Sequence, residues 1–381
     1  MLEYGEQVGA VEGVAPGASR ETAARAAASD ARAESAFEFE SESGAVSVSV
    51  VVPCFNEERF IGEVLRNLAR QDAGAPSEII VVDGLSTDGT RAEVERFARA
   101  NPDARVRIVE NPERHIPAAL NRGIRAARGR VIARMDAHAV PSENYLRACL
   151  GQLRREGVVV VGAPCQIRAA ADTAVARANA AAVSHPFGIG DAKYRTAGAG
   201  AESCFVDTVP FGVFGKELWQ SLGGYNEDLL TNEDYDFNYR ARRAGGGVLL
   251  DTSCFCTYFA RPTFASLARQ YFRYGVWKAR MLRMHPRSVK ARQMVAPAFV
   301  AALALLCAAS PWLAAARWLL ALTLAPYALL SLACAAAVAR RERDWGLLPL
   351  VPVSFLLIHL SWGAGFWLGL LRRAPRRGGA G

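Results

Sequence analysis

Three long runs without a charged residue occupy the last part of the chain, at 293–316, 318–339 and 345–371. Each exceeds the ~20 residues that a helix needs to cross the hydrocarbon of a bilayer. One such run would fit a buried core helix; three in succession point to a membrane region. Pro311 and Arg317 suggest a tight turn between the first two runs. The flanking charges pose a problem of topology. If residues 47–293 face the cytosol, two crossings return the chain at Arg340, Arg341 and Arg343. A third crossing would export Arg372, Arg373, Arg376 and Arg377, against the preference of cations for the cytosolic side. Pro349, Pro352, Gly363 and Gly365 instead favour a re-entrant or interfacial hairpin in the third run.

The net charge of +8 divides unevenly along the 381 residues. Residues 1–46 carry three basic and nine acidic side chains and no strong apolar periodicity, so a disordered acidic tail is expected there. Within it, residues 34–42 alternate acids with Phe37 and Phe39, a pattern suited to docking on a basic surface. Between Thr252 and Arg341 there is no acidic residue. Arg261, Arg269, Arg273, Lys278, Arg280, Arg283, Arg287, Lys290 and Arg292 gather just ahead of the first apolar run. Most of them are expected to meet anionic lipid headgroups, each contributing about 1 kcal/mol. The eight cysteines form no C-x-x-C pair and lie mostly in apolar runs, so reduced thiols are expected. Met1 to Tyr4 shows no basic start of a secretory signal. This composition excludes a disordered chain as a whole, a collagen-like chain and a small disulfide scaffold.

Between tail and apolar region, strands alternate with helices. Strands are predicted at 47–52, 78–83, 106–110, 131–135 and 158–161, and helices at 60–71, 90–100, 117–127 and 143–155. Such alternation implies a mostly parallel sheet covered on both faces. Later come a Gly-rich loop at 184–203, helices at 216–222 and 233–243, short strands at 248–251 and 255–258, and an amphipathic helix from 264 to about 282. The predicted organisation is a tail (1–46), an α/β catalytic domain (47–260), a basic interfacial helix (261–292), a transmembrane region (293–373) of two or three spans, and a disordered tail (374–381).

Ligands of parallel sheets bind beyond the carboxyl ends of the strands. Those ends deliver Pro53, Asn56 and Glu57, then Asp83 and Asp88, then Asp136 and His138. No G-x-G-x-x-G follows the first strand and no G-x-x-x-x-G-K occurs, which disfavours dinucleotide and P-loop chemistry. Asp136 and His138, one residue apart, suit Mn²⁺ or Mg²⁺ bridged to phosphate; a turn aspartate beside a surface histidine is the plainer alternative. Glu233 and Asp234 open a helix: they suit general-base work, yet acids there also stabilise a helix without catalysis. Asp88 likewise suits a cap. Arg273 has the guanidinium that phosphate prefers.

The ordered set VVPCFNE, VVDGLSTDGT, LNRGIRAARG, RMDAHA, GGYNEDLLTNEDYDFNYRARRAGG and QYFRYG resembles family 2 glycosyltransferases of the GT-A fold, over roughly residues 47–293. D-A-H, VDTVPFGVFGKE and the apolar runs are most similar to the succinoglycan-biosynthesis type. The resemblance implies that Pro53, Asn56, Glu57, Asp83 (to the base), Asp88, Asn121, Arg122 and Asp136 border the nucleotide-sugar donor. It implies metal binding by Asp136 and His138, with His138 replacing the second aspartate of D-x-D. Asp234, beside Glu233, would be the catalytic base. Gln270, Arg273 and Tyr274 would match Q-x-x-R-W, with Tyr274 in place of Trp, on the acceptor or diphosphate side.

The activity so implied is inverting transfer of a hexose from a UDP-sugar to a polyprenyl-linked saccharide, in exopolysaccharide or cell-envelope synthesis. The place would be the cytoplasmic face of a bacterial inner membrane, with the protein multi-pass, anchored in anionic lipid and a possible homo-oligomer. Segment 188–200 would close over the donor or be an ordinary loop. Three alternatives stand beside this: transfer to a polyprenyl phosphate itself, a non-catalytic nucleotide-sugar-binding scaffold, and a nucleic-acid binder. The last lacks an aromatic stacking platform.

Overall fold

The computed structural model describes residues 47–198 and 200–372. The acidic stretch 1–46, the arginines at 373, 376 and 377 and the tail 374–381 lie outside the described residues. Three β–α units come first: β1 (Val48–Cys54) and α1 (Ile61–Ala69), β2 (Ser77–Asp83) and α2 (Thr90–Ala100), β3 (Val106–Glu110) and α3 (Ile116–Ala126). Then follow β4 (Val131–Arg134), β5 (Val140–Pro141), α4 (Tyr145–Leu153), β6 (Val158–Gly162), β7 (Cys165–Ala169) and α5 (Ala174–Ser184). Two single-turn helices, α6 (Pro186–Ile189) and α7 (Lys193–Thr196), occupy the segment expected to be loop. After them come β8 (Cys204–Phe205), β9 (Val213–Gly215), α8 (Lys216–Ser221), α9 (Glu233–Arg243), β10 (Gly247–Leu250) and β11 (Cys256–Ala260). Four long helices complete the chain: α10 (Phe264–Met284), α11 (Ala291–Ala309), α12 (Ala314–Glu342) and α13 (Leu350–Leu371).

The large sheet has the order β3-β2-β1-β4-β9-β6-β10-β8. It is mixed α/β of mostly parallel pairing, with β9 antiparallel to both β4 and β6 and β8 antiparallel to β10. All seven residues of β1 are buried, as a strand sandwiched between two helical layers requires. Gly123 lets α3 settle on this sheet: a Cβ there would lie 2.4 Å from Val51 Cγ1. The core joins Val51, Ile80, Leu120 and Ile132 to Phe214, Tyr225 and Phe237 from later in the chain. A three-stranded sheet, β5-β11-β7, flanks the open edge of the strand ends.

Glu78 is a polar rivet at the start of β2. It accepts from Ser49 Oγ at 2.7 Å, Arg107 Nε at 3.0 Å and Arg128 N–H at 2.7 Å. Burial opposes its ionisation, but these donors hold the carboxyl below its ordinary value.

The third apolar run is one unbroken helix, α13, not a hairpin. Pro349 and Pro352 fall at its start, where a missing N–H costs nothing. Its glycines serve close packing. A Cβ on Gly365 would lie 2.1 Å from the Phe272 carbonyl of α10, and one on Gly363 2.6 Å from the Ala296 carbonyl of α11. Gly275 of α10 answers with an approach of 2.2 Å to the Trp362 carbonyl. Helices can come this close only where side chains are absent. α10 and α13 run in the same direction, since 272 faces 365 and 276 faces 369. Arg283 of α10 donates to the Leu370 and Arg372 carbonyls, capping the end of α13.

The basic cluster is accordingly divided in use. Lys278 is buried, Arg283 caps α13 and Arg292 pairs with Asp207 at 2.7 Å, whereas Arg261, Arg269, Arg273, Arg287 and Lys290 are exposed. α11, α12 and the segment Trp345–Leu371 are each long and apolar enough to cross a membrane. The turn between α11 and α12 exposes Trp312, at 81%, and the start of α12 exposes Trp318, at 77%.

Two substitutions check this packing. Glu78→Gln is expected to cost about 1–3 kcal/mol at neutral pH. A depressed folded-state pKa stabilises above the unfolded value, about 4.3, and that stabilisation is lost as pH falls through the folded value. The gap between wild type and variant in thermal unfolding therefore narrows in acid. Gly365→Leu forces α10 and α13 apart, an overpacking expected to cost about 1–3 kcal/mol and visible as a lower unfolding temperature in detergent.

Candidate active site

The loops after β1 and β2 are laced together before any ligand arrives. Asn56, at φ 55°, donates its N–H to Ser86 Oγ and accepts from Thr87 N–H, each at 2.9 Å. Glu57 N–H reaches Thr90 Oγ1 at 2.8 Å. Asp83 is buried at the end of β2, receiving Ser86 N–H at 3.2 Å and Arg91 Nη1 at 3.4 Å. Asp88 turns towards α2. Burial would raise its carboxyl, but Thr90 and the Glu58 N–H hold it below its ordinary value. It thus acts on the helix start much as a cap does.

Beyond β4, Arg134, Asp136 and His138 share the same edge. Arg134 is 5% exposed. Its Nη2 contacts Glu233 Oε1 at 2.8 Å and Asp136 Oδ1 at 3.3 Å. One buried guanidinium therefore joins the strand end carrying D-x-H to the helix start carrying E-D. Its charge is what allows two carboxylates to stay in a dry site. Burial raises the Glu233 carboxyl, with Arg134 opposing and Asp234 adding to the rise. The site's need for Arg134 was not evident from residue spacing, because its partner lies 99 positions away. The basic residue inside RMDAHA was the available signal.

Asp234 is only half-buried and receives the Tyr235 N–H at 2.7 Å, leaving Oδ2 available to a hydroxyl. Asn232 precedes it at φ 69°, with a buried and unpartnered Nδ2. A non-glycine residue held in that region at a helix start is costly backbone placed where the acids must point. Next on α9, Asp236 is fully buried between Arg240 Nε at 2.8 Å and His285 Nε2 at 2.9 Å. Tyr235 donates to the Ser288 carbonyl at 2.7 Å, and Lys278 Nζ lies 3.3 Å above the Tyr235 ring. Burial pushes Lys278 down to about 7. The helix carrying Glu233 and Asp234 is thus bolted to the end of α10.

His138 Nδ1 bonds Glu57 Oε1 at 3.0 Å. That hydrogen bond, together with Asp136, raises His138 above its ordinary value although burial opposes it. With Nδ1 occupied, the neutral ring presents Nε2, as ligating histidines do when a carboxylate orients them. Asp136 keeps Oδ2. Among the described residues no group of three His, Cys, Asp or Glu side chains gathers at one point. The donor set therefore fits a divalent ion completed by phosphate oxygens and water, not one held by protein alone.

Other expected residues lie elsewhere. Asn121 spends all its hydrogen-bonding capacity inside the protein: Nδ2 donates to the Tyr225 carbonyl and Glu227, and Oδ1 accepts from Trp219 Nε1 and Tyr225 N–H. It fixes the loop ahead of α9. Arg122 pairs with Glu113 at the surface. Gln270 and Tyr274 share a face of α10 and touch each other at 3.0 Å, whereas Arg273 is exposed.

Comparison with known proteins fits this arrangement. Residues 49–205 match the model of glycosyl transferase family 2. The chain is 29% identical to succinoglycan biosynthesis protein ExoA of Rhizobium meliloti over 328 residues, covering 84% of this chain and 94% of that protein. It is 25% identical over 241 residues to a dolichyl N-acetyl-alpha-D-glucosaminyl phosphate 3-beta-D-2,3-diacetamido-2,3-dideoxy-beta-D-glucuronosyltransferase of Methanococcus voltae, covering 62% and 74%. Among solved structures, a mannosyltransferase from Pyrobaculum calidifontis in complex with GDP-Man and Mn²⁺ superposes with a TM-score of 0.55 at 24% identity, over 89% of this chain and 96% of that one. Residues 49–205 are thus similar to glycosyl transferase family 2, and the strand order and the superposition show a fold similar to that of GT-A glycosyltransferases.

Proposed function

We propose that the protein transfers a hexose, with inversion, from a UDP-sugar to a hydroxyl of a polyprenyl-linked saccharide at the cytoplasmic face of a bacterial inner membrane. The observation that carries this reading is the Arg134 bridge, which brings Asp136 and the Glu233–Asp234 pair to one sheet edge. Support for the acceptor comes from the names of the two relatives, one of exopolysaccharide synthesis and one acting on a dolichyl-linked sugar.

In this reading the donor lies across the laced loops, with Asn56, Glu57, Asp83 and Asp88 setting its nucleotide end. Asp136 Oδ2 and His138 Nε2 would hold Mn²⁺ or Mg²⁺, which when bound neutralises the diphosphate leaving group. Asp234 accepts the proton of the attacking hydroxyl. Glu233 acts through Arg134, keeping Asp136 and α9 in register. Attack from the face opposite the diphosphate inverts the anomeric carbon.

The membrane arrangement follows from what each helix touches. α13 runs along α10, and α10 is tied to the catalytic domain by Gln270 to Tyr258 on β11 and by His285 to Asp236 on α9. A spanning α13 would draw the exposed Arg269 and Arg273 of α10 towards the hydrocarbon, at roughly 2.5–3.5 kcal/mol each. α13 therefore lies along the domain, and α11 and α12 form the crossing pair. Arg372 then stays on the catalytic side, as the positive-inside rule asks.

Asp234→Asn is expected to reduce transfer at least about a hundredfold while nucleotide binding persists. Normal turnover in that variant would instead favour a lipid phosphate as acceptor, which needs no base. A reporter fused after residue 381 is expected to read out on the same side as the catalytic domain; an opposite reading would make α13 a third crossing.

A further inference from the structure

One cation near the site has no counterion. Arg195, on α7, stacks its guanidinium over Tyr258 at 5.1 Å and over Tyr194 at 5.6 Å. Its Nε is buried and unpartnered, and among the described residues no carboxylate lies within 4 Å of it. Tyr271 and Tyr274 complete the surroundings. The buried Arg134, by contrast, has Asp136 and Glu233.

The phenols around Arg195 are arranged to donate. Gln270 Nε2 gives one hydrogen bond to Tyr258 Oη at 2.9 Å and one to Tyr274 Oη at 3.0 Å. Each phenol oxygen is thereby an acceptor, and its own proton is free for another group. Among the described residues neither hydroxyl proton has an acceptor. Burial raises Tyr274, so that proton is retained. A guanidinium with the Tyr194 phenol as its hydrogen-bonding neighbour, beside two O–H donors that lack an acceptor, makes a receptor for an anion. The place adjoins the carboxylate edge: Tyr258 lies two residues along β11 from Cys256, whose thiol meets Met135, the neighbour of Asp136, at 3.7 Å.

We propose that Arg195, with Tyr258 and Tyr274 oriented by Gln270, binds a diphosphate ester at the transfer site. This deepens the glycosyl-transfer reading and rests on it. The diphosphate belongs either to the nucleotide donor, where Arg195 stabilises the leaving group, or to the polyprenyl-linked acceptor, where it fixes the acceptor's head. Guanidinium suits either by paired donation to phosphate oxygens. Arg195 thereby takes, near Gln270 and Tyr274, the role that the resemblance to Q-x-x-R-W implies for Arg273.

The test uses full-length protein in nanodiscs of neutral lipid, as wild type, Arg195→Lys and Arg195→Gln. Two probes are titrated in Mg²⁺: UDP, and undecaprenyl diphosphate. Thermal unfolding is measured without ligand. Arg195→Gln is expected to weaken one probe at least tenfold, Arg195→Lys to weaken it less, and the ligand-free unfolding temperature to stay level or rise, since a half-buried charge without a carboxylate partner has been removed. Loss confined to UDP assigns the donor, and loss confined to the lipid assigns the acceptor. Unchanged affinity for both probes, or a lower unfolding temperature with unchanged affinity, makes Arg195 a structural cation and overturns the site. Wild type that binds neither probe sinks the glycosyl-transfer reading itself and this site with it.

Discussion

The buried ion cluster at Arg134 is the constraint on which the remainder of the site depends. A guanidinium at the end of β4 is removed from water and must be matched by carboxylates. Asp136 supplies one from the same strand end, and Glu233 supplies the other from α9, across the sheet. Removing either partner leaves a buried charge uncompensated, so the D-x-H turn and the E-D helix are locked as a unit. Asp234 inherits its place from that lock: one residue on, half-exposed, and facing the edge where the donor's phosphates would lie.

The same helix connects the chemistry to the membrane region. Tyr235, Asp236 and Tyr239 of α9 meet Ser288, His285 and Met281 at the end of α10. α10 in turn is in backbone contact with α13 at Gly275, Gly365 and Gly369. Any tilt of the apolar helices against the domain is therefore felt within a few residues of Asp234. An acceptor presented in lipid is consistent with such a short mechanical path.

Much of this architecture is legible in sequence because it is local. β3, α2 and α9 follow directly from apolar periodicity and from acids at helix starts, and the strand-end rule points to Asp83 and Asp136. What escapes is long-range. β9 has three residues and is held by pairing with β4 and β6, so periodicity cannot reveal it. Asn121 reads as a donor contact, and only three residues about a hundred positions away, Trp219, Tyr225 and Glu227, show that its four hydrogen bonds are spent inside the protein. Gly363 and Gly365 read in sequence as helix breaks, and only Ala296 of α11 and Phe272 of α10 show that they serve close packing. Arg195 carries no pattern at all; its meaning lies in its neighbour Tyr194 and in three tyrosines drawn from β11 and α10.

The account's central claim is single displacement at a common carboxylate edge. The most direct measurement is the anomeric configuration of product formed by purified full-length protein from a UDP-sugar and a polyprenyl-linked saccharide, followed by NMR. The account expects a new glycosidic bond of configuration opposite to that of the donor. Retained configuration, or release of UDP with hydrolysed sugar and no glycosidic product, would contradict it.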